Sequence, residues 1–187
     1  MASALTKDKY VKKHIGVLLL LCLPATSFAG DADKTAGDIL QFAIPAAALT
    51  VAWAKDDDEG EVQWLRNTVA STVATQILKA AFNSTSWGER PNGGRGSFPS
   101  GHTAFAASGA AFLTERYGWQ YGLPAWVLTA YVADTRVVER EHHWRDVAAG
   151  AALSYGVSML FVTPESATHI APIIGPKFIG LRWERSW

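Results

Sequence analysis

The chain has 187 residues, of which 49% are hydrophobic and 18% are charged, and its formal net charge is zero. This length is typical of one domain, and the charged fraction lies below the roughly 25% of ordinary soluble domains. The composition therefore excludes disorder over most of the chain. The single cysteine, Cys22, excludes a disulfide framework and a cysteine-based metal site.

Residues 1–29 predict a targeting segment. Four lysines precede an apolar run at residues 15–23, and small residues lie just before the end of the segment at Ala29. We expect a signal peptide that is cleaved after Ala29. The alternative is an uncleaved signal anchor, although the apolar run is shorter than the about 20 residues of a spanning helix. Either form predicts export to the cell envelope, as a periplasmic or inner-membrane protein.

Cleavage would also change the charge of the protein. It removes four of the 17 basic residues and one of the 17 acidic residues, which leaves a net charge of about −3. A nucleic-acid-binding protein needs a basic stripe. We therefore expect no nucleic-acid partner.

Residues 30–187 predict an all-α domain, a compact bundle of about five core helices. The first predicted helix covers residues 36–54 and ends at an acidic loop, 55–60. The second covers residues 61–83, where apolar and polar side chains recur with the 3.6-residue period of an amphipathic helix.

A long loop, residues 84–99, follows the second helix, and loops of this length inside compact domains are usually functional. Three further helices are predicted at residues 100–117, 123–138 and 143–162, with Pro124 in the first turn of the fourth helix. Residues 173–187 fit either a short extended segment or an interfacial segment.

A membrane surface or bilayer is an expected partner, but the sequence leaves open whether the helices cross it. Residues 39–54 and 147–162 are apolar but shorter than a standard span. The eight tryptophans fit either interfacial belts or a compact core.

The first polar cluster is Pro99-Ser100-Gly101-His102, at the start of the third predicted helix. Ser100 is a good N-cap, and Gly101 lets the backbone approach a ligand closely. The free N–H groups of a helix start attract anions, and His102 would lie beside such an anion. The alternative is a serine N-cap with an incidental histidine.

The second cluster is Arg136, His142 and Asp146. Asp146 follows His142 by one helical turn, so it can hydrogen-bond one imidazole nitrogen and leave the other as a nucleophile or base. His143 is a rival because it precedes Asp146 by only three residues. A surface ion-pair cluster is a further alternative, since charged residues surround these positions.

The third cluster is Arg90-Pro91, with Lys79 upstream. An arginine fork binds phosphate oxygens in bidentate fashion, and a lysine adds a point charge. In an up-down bundle, the ends of helices two and four lie on the same side as the starts of helices three and five. The three clusters therefore predict one site with positive charge, two histidines and one carboxylate.

These motifs, over roughly residues 78–162, resemble those of the type-2 phosphatidic acid phosphatase family, which shares its site with vanadium-dependent haloperoxidases. The matching order is Lys, Arg-Pro, Pro-Ser-Gly-His and Arg-x5-His-x3-Asp. The resemblance implies an all-helical bundle that hydrolyses a phosphomonoester or pyrophosphate, of a lipid or another phosphate ester. It also implies a reaction without metal or other cofactor, with vanadate as an inhibitor.

By position in these motifs, His142 would be the nucleophile that forms a phosphohistidine, Asp146 would orient it, and His102 would protonate the leaving oxygen. The phosphoryl oxygens would be held by Lys79, Arg90, Arg136 and the backbone of Ser100 and Gly101.

The chain departs from the family pattern at two positions. Ten residues separate Lys79 from Arg90, where the family usually has six, and Asn83 occupies the expected lysine position. Lys79 lies one turn earlier on the same helix face, from which a long side chain could still reach the site. Thr135 stands where the family usually has serine, which keeps a hydroxyl group.

Three functions are compatible with these residues. The first is the lipid phosphatase, whose relatives often have six membrane helices, a number that the targeting segment and five helices would match. Its site would face the exported side. The second is a vanadate-dependent haloperoxidase, and the third is a non-catalytic, membrane-associated phosphate-binding protein.

Overall fold

The computed structural model describes residues 31–165, 168–175 and 178–185. The predicted targeting segment, residues 1–29, lies outside the described residues. The helices are α1 (Asp31–Ala54), α2 (Asp58–Phe82), a short 3-10 helix (Ser86–Gly88), α3 (Gly101–Tyr117), α4 (Trp119–Val138) and α5 (Trp144–Phe161). The all-α prediction is confirmed, and five long helices form the bundle.

The C-terminal segment forms an antiparallel hairpin of two strands, β1 (Thr168–Gly175) and β2 (Phe178–Arg185). Its register pairs Thr168 with Arg185 and Gly175 with Phe178. The extended alternative for the tail is therefore confirmed.

Helix α4 begins four residues earlier than predicted. Gly118 has a φ of +88°, a backbone conformation that glycine tolerates. This residue interrupts the helical conformation between α3 and α4, so α4 starts at Trp119. Pro124 consequently lies at the sixth helical residue, and its prediction as a first-turn residue was wrong. The other boundaries differ from the predicted ones by five residues or fewer.

Helix α3 is the centre of the bundle and packs against α1, α2, α4 and α5. It is rich in alanine, and its small residues allow the neighbouring helices to approach closely. A Cβ atom on Gly109 would lie 2.7 Å from the backbone of Pro45 in α1. Close backbone packing of α3 against α1 therefore contributes to the centre of the domain.

Helix α2 is amphipathic as predicted, but its polar face is the buried one. Asn67 is fully buried, and its side-chain amide donates to the Ser108 carbonyl of α3 at 2.9 Å. Several of its large apolar residues face outward instead; Val69 is 53% exposed and Ile77 is 62% exposed. A helix in water buries its apolar face, so α2 shows the reverse of the usual arrangement.

The same outward apolar surface continues on the other outer helices. It includes Ile39, Phe42, Val62, Leu65, Val69, Val73, Ile77, Leu123, Val127, Val138, Met159 and Leu160. We call this set the apolar belt. Among the described residues, one helix, Ala32–Ala54, is long and apolar enough to cross a membrane.

The end of the bundle at which α1 and α3 finish is closed by a buried ion pair. Arg116 donates to both carboxylate oxygens of Asp57, at 2.7 and 2.5 Å, and the Tyr117 hydroxyl donates to Asp57 at 2.7 Å. Arg116 also donates to the Thr163 carbonyl at 2.9 Å. These bonds tie the α1–α2 connection and the end of α5 to the end of α3.

Candidate active site

The predicted polar clusters meet at the opposite end of the bundle. A cavity of about 300 Å³ lies there, lined by Lys34, Asp38, Arg90, His102, Arg136, Glu141 and His142. These residues come from the starts of α1 and α3, the end of α4 and the two loops that precede α3 and α5. The expected single site is therefore present in the fold, with four of the predicted residues in one cavity.

Arg136, in the last turn of α4, is buried where α1 crosses it. It donates to Asp38 Oδ1 at 2.7 Å, to the Lys34 carbonyl at 3.0 Å and to Thr135 Oγ1 at 3.1 Å. A guanidinium group has five N–H donors, so two remain for a ligand in the cavity. A Cβ atom on Gly37 would lie 2.3 Å from Thr135 Oγ1, and glycine there allows this close crossing.

Ser100 forms the N-cap of α3, as predicted. Its hydroxyl accepts the Thr103 N–H at 3.4 Å, and its own N–H donates to the Asp146 carbonyl at 2.9 Å. A Cβ atom on Gly150 of α5 would lie 2.6 Å from the Ser100 carbonyl. Glycine at position 150 therefore allows the starts of α3 and α5 to approach closely. At Gly101 a Cβ atom would meet no atom within 4 Å, so packing does not require glycine there.

His142 lies in the loop between α4 and α5 and is 3% exposed. Its Nδ1 is 3.9 Å from Asp146 Oδ2, which is the distance of an ion pair and not of a hydrogen bond. Asp146 Oδ2 accepts instead from the Ser97 hydroxyl at 2.5 Å and from the His143 N–H at 2.9 Å. Asp146 thus caps α5 and holds the preceding loop while it faces the His142 ring.

His143 does not compete with His142 for the cavity. Its Nε2 lies 3.2 Å from the Glu89 carbonyl, on the outside of the loop, and the residue is absent from the cavity lining. The structure therefore separates the two adjacent histidines and places only His142 toward the site.

Arg90 is positioned by an ordered turn in the long loop. The Arg90 N–H donates to the Gly94 carbonyl at 2.9 Å, and Glu89 pairs with Arg95 in an isolated antiparallel bridge. The Arg90 side chain donates to Glu141 through Nη1, whereas its Nε is buried and makes no hydrogen bond within the described part of the chain. Glu141 is a site residue that the sequence analysis missed.

Lys79 lies in the last turn of α2 and lines a groove next to the cavity. Its Nζ donates to the Gly96 carbonyl at 2.5 Å, and the residue lines a groove with Asn83 and Arg95. It is absent from the lining of the cavity that holds His142. The structure therefore places Lys79 beside the cavity and not in its lining, near enough for its charge to act on the His142 ring.

Asp38 is the second residue that sequence reasoning missed. Its Oδ1 lies 3.0 Å from His102 Nε2 and also accepts the bond from Arg136. The signal in the sequence was an acidic residue directly after Gly37, at the start of an apolar stretch. Its partners follow 64 and 98 residues later, so only the fold brings them together.

The two histidines of the cavity favour the neutral form. Burial lowers the pKa of His142 to about 4, helped by the positive charges of Lys79 and Arg90 and opposed by Asp146. Burial also lowers the pKa of His102, with Arg136 acting in the same direction and Asp38 opposing it. A neutral imidazole has a free lone pair, so His142 can act as a nucleophile at neutral pH.

The arrangement combines two arginines that can bind anionic oxygens, a neutral buried histidine, and a second histidine with a carboxylate partner. No group of three or more potential metal-ligating side chains occurs among the residues described. The two arginines and two histidines suit the transfer of a phosphoryl group, because its oxygens need positive charge and the leaving oxygen needs a proton.

Comparison with known proteins agrees with this chemistry. The model of the PAP2 superfamily matches residues 63–166. A curated relative, the lipid A 4'-phosphatase of Helicobacter pylori strain J99, is 32% identical over 136 residues, which are 68% of this chain and 68% of the relative. No solved structure matches the chain significantly. The family match covers more than half of the chain, so this protein belongs to the PAP2 superfamily and is a phosphoric ester hydrolase.

Proposed function

We propose that this enzyme hydrolyses the phosphomonoester or pyrophosphate of a membrane lipid through a phosphohistidine on His142, without a metal ion. The observation that carries the proposal is the shared cavity of Arg90, His102, Arg136 and His142. Two histidines and two arginines line this cavity of about 300 Å³, and such a set supports the proposal because it suits a phosphoryl group.

In the first step, His142 Nε2 attacks the phosphorus, because Nδ1 faces Asp146. The bond from phosphorus to the lipid oxygen breaks, and protonated His102 donates its proton to that oxygen. The remaining N–H groups of Arg90 and Arg136 hold the phosphoryl oxygens as the negative charge on them redistributes. The products of this step are the dephosphorylated lipid and a phosphohistidine.

In the second step, water attacks the phosphorus of the phosphohistidine. His102, neutral after the first step, takes the proton from the water, and the bond from phosphorus to His142 Nε2 breaks. Inorganic phosphate leaves, and both histidines return to their starting states. The same histidine therefore acts as an acid and then as a base.

A lipid substrate is supported by the apolar belt and by the relative's name. The belt exposes large apolar side chains along the outer helices, and such a surface is stable against acyl chains rather than water. Exposed tryptophans lie near both ends of the bundle, Trp53 and Trp119 at one end and Trp87 and Trp144 at the site end. Tryptophan favours membrane–water interfaces, so the site would lie at the interface, with α1 crossing the membrane.

The phosphorylated glycolipid named for the relative, lipid A, is the first substrate to test. Export, which residues 1–29 predict, would place the site on the exported side of the envelope. A haloperoxidase activity is a second candidate only through the shared motif.

The proposal is tested by phosphate release in EDTA from lipid A, phosphatidic acid, a polyprenyl diphosphate and a soluble monoester. Wild type and the variants His142→Ala and His143→Ala are compared, because His143 is the adjacent histidine outside the cavity. Vanadate-sensitive release that is lost only in His142→Ala supports the proposal. Activity that EDTA abolishes, or full activity in His142→Ala, would overturn it.

A further inference from the structure

The carboxylate of Asp38 joins two residues of the site that no sequence motif connects. A single oxygen, Oδ1, lies 2.7 Å from Nη1 of Arg136 and 3.0 Å from Nε2 of His102. Asp38 belongs to α1, outside the residues 63–166 that match the family model. Helix α1 is therefore part of the site and not only part of its support.

The bond to Asp38 determines which nitrogen of His102 can serve the substrate. A carboxylate oxygen accepts hydrogen bonds, so Nε2 of His102 carries a proton and Nδ1 is the nitrogen that gains and loses the catalytic proton. The same negative charge stabilises the imidazolium form, against burial and against the nearby positive charges. Without this charge a smaller fraction of His102 would carry the proton that a general acid must donate, because its other surroundings favour the neutral form.

We propose that Asp38 is a positioning residue for the proposed hydrolysis: it fixes the tautomer of His102, keeps this histidine able to protonate the leaving oxygen, and orients Arg136 through the same oxygen. This inference rests on the proposed function of the site. Gly37 supports it, since glycine at that position lets α1 approach Thr135 and Arg136 closely enough for the shared bond.

The other charged groups around His102 act on its protonation as well. Arg90 and Arg136 oppose the imidazolium form, and the cavity also holds Lys34, Glu141 and His142. Asp38 differs from these residues because it hydrogen-bonds the His102 ring. Neutralising it should therefore lower the pKa of His102, while neutralising an acidic residue elsewhere on α1 should not.

The test uses the full-length protein and three variants. Asp38→Asn keeps the shape and removes the charge, and Asp38→Glu restores the charge on a longer side chain. Asp33→Asn is the matched control, because Asp33 lies on the same helix and bonds Tyr131 at 2.8 Å, away from the site.

The first readout is the dependence on the leaving group. An alkyl phosphate such as dioctanoyl phosphatidic acid needs a protonated leaving oxygen, whereas p-nitrophenyl phosphate does not. We expect Asp38→Asn to lower kcat/KM at pH 7 at least about tenfold more for the alkyl ester than for the aryl ester, as loss of general-acid catalysis does. Asp38→Glu should recover part of this loss. An equal loss on both esters, or no loss, would overturn the inference.

The second readout does not need activity. The titration of His102 is followed by NMR of histidine-labelled protein, and its signal is identified by its absence in His102→Gln. We expect its pKa to fall by about one unit in Asp38→Asn and to stay unchanged in Asp33→Asn. An unchanged titration in Asp38→Asn would contradict the inference whatever the activity. A shifted titration in a protein that hydrolyses nothing would instead uphold the pairing and refute the proposed function.

Discussion

Arg90 and Glu141 form an ion pair across the cavity, between the loop before α3 and the loop before α5. Both side chains are partly buried, and the buried Nε of Arg90 has no hydrogen-bond partner among the residues that the structure describes. In the proposed function, Glu141 thus occupies part of the arginine fork that would hold the phosphoryl group. A bound phosphate would compete with this carboxylate, and we infer that this competition limits how tightly the product phosphate is held.

We predict that Glu141→Gln binds vanadate and phosphate more tightly than wild type. Partly exposed ion pairs contribute up to about 1 kcal/mol, so the inhibition constants should fall by up to about fivefold, with stronger product inhibition. Inhibition of phosphate release by vanadate and by phosphate measures this directly. Glu139→Gln makes the same change of charge two residues away and should leave both constants unchanged; weaker inhibition in Glu141→Gln would refute the competition.

The pH dependence of kcat/KM should be bell-shaped, with its maximum on the acid side of neutrality. His142 must be neutral to attack, and its pKa is lowered to about 4, so activity should be lost as the pH falls through that value. His102 must be protonated to act as an acid, and its pKa lies below the ordinary 6.5. Activity should therefore decline as the pH rises through the His102 pKa. A flat profile from pH 4 to pH 8, measured on a soluble alkyl monoester whose leaving oxygen needs protonation, would contradict these assignments.

The ion pair of Asp57 and Arg116 should stabilise the end of the bundle away from the site. Both side chains are buried, and removing one partner of a buried pair costs about 3–5 kcal/mol. Asp57→Asn should therefore lower the free energy of unfolding by an amount of this order, while the exposed Asp58→Asn should change it little. Chemical denaturation in detergent measures both variants, and equal stabilities would show that the pair contributes nothing.

The same pair should make the protein less stable in acid. Burial alone would raise the pKa of Asp57, but hydrogen bonds from Arg116, Tyr117 and the Gly60 N–H lower it below the ordinary value of 3.8. A carboxyl group with a lowered pKa in the folded state contributes stability above its unfolded pKa. This contribution should be lost as the pH falls from 3.8 through the folded pKa. Asp57→Asn should lose less stability over that range than wild type, and an equal loss would contradict the role of Asp57.

The sequence predicted the five helices and the meeting of their polar ends, because spacing within a helix and the up-down order are local rules. It did not predict Asp38 or Glu141 as site residues, because their roles depend on contacts across the fold. Asp38 meets His102 only where Gly37 lets α1 cross the end of α4. Glu141 has several charged neighbours in the sequence, and nothing in the sequence distinguishes it from them as a site residue.

Two other features depended on information that periodicity does not carry. The period of α2 predicted an amphipathic helix, but period alone does not say which face is inward, and here the buried face carries Asn67, Ser71 and Thr75. Lys79 looked long enough to reach the phosphate position. In the fold its ammonium group is held by the Gly96 carbonyl of the long loop.

The most direct test of the central claim is trapping of the phosphoenzyme. Wild type, His142→Ala and His143→Ala are mixed with a substrate that carries radiolabelled phosphate, quenched in alkali and digested to peptides. We predict an alkali-stable, acid-labile label on the peptide of His142 in wild type and in His143→Ala, and none in His142→Ala. A label elsewhere in the chain, or phosphate release by His142→Ala at the wild-type rate, would contradict the account.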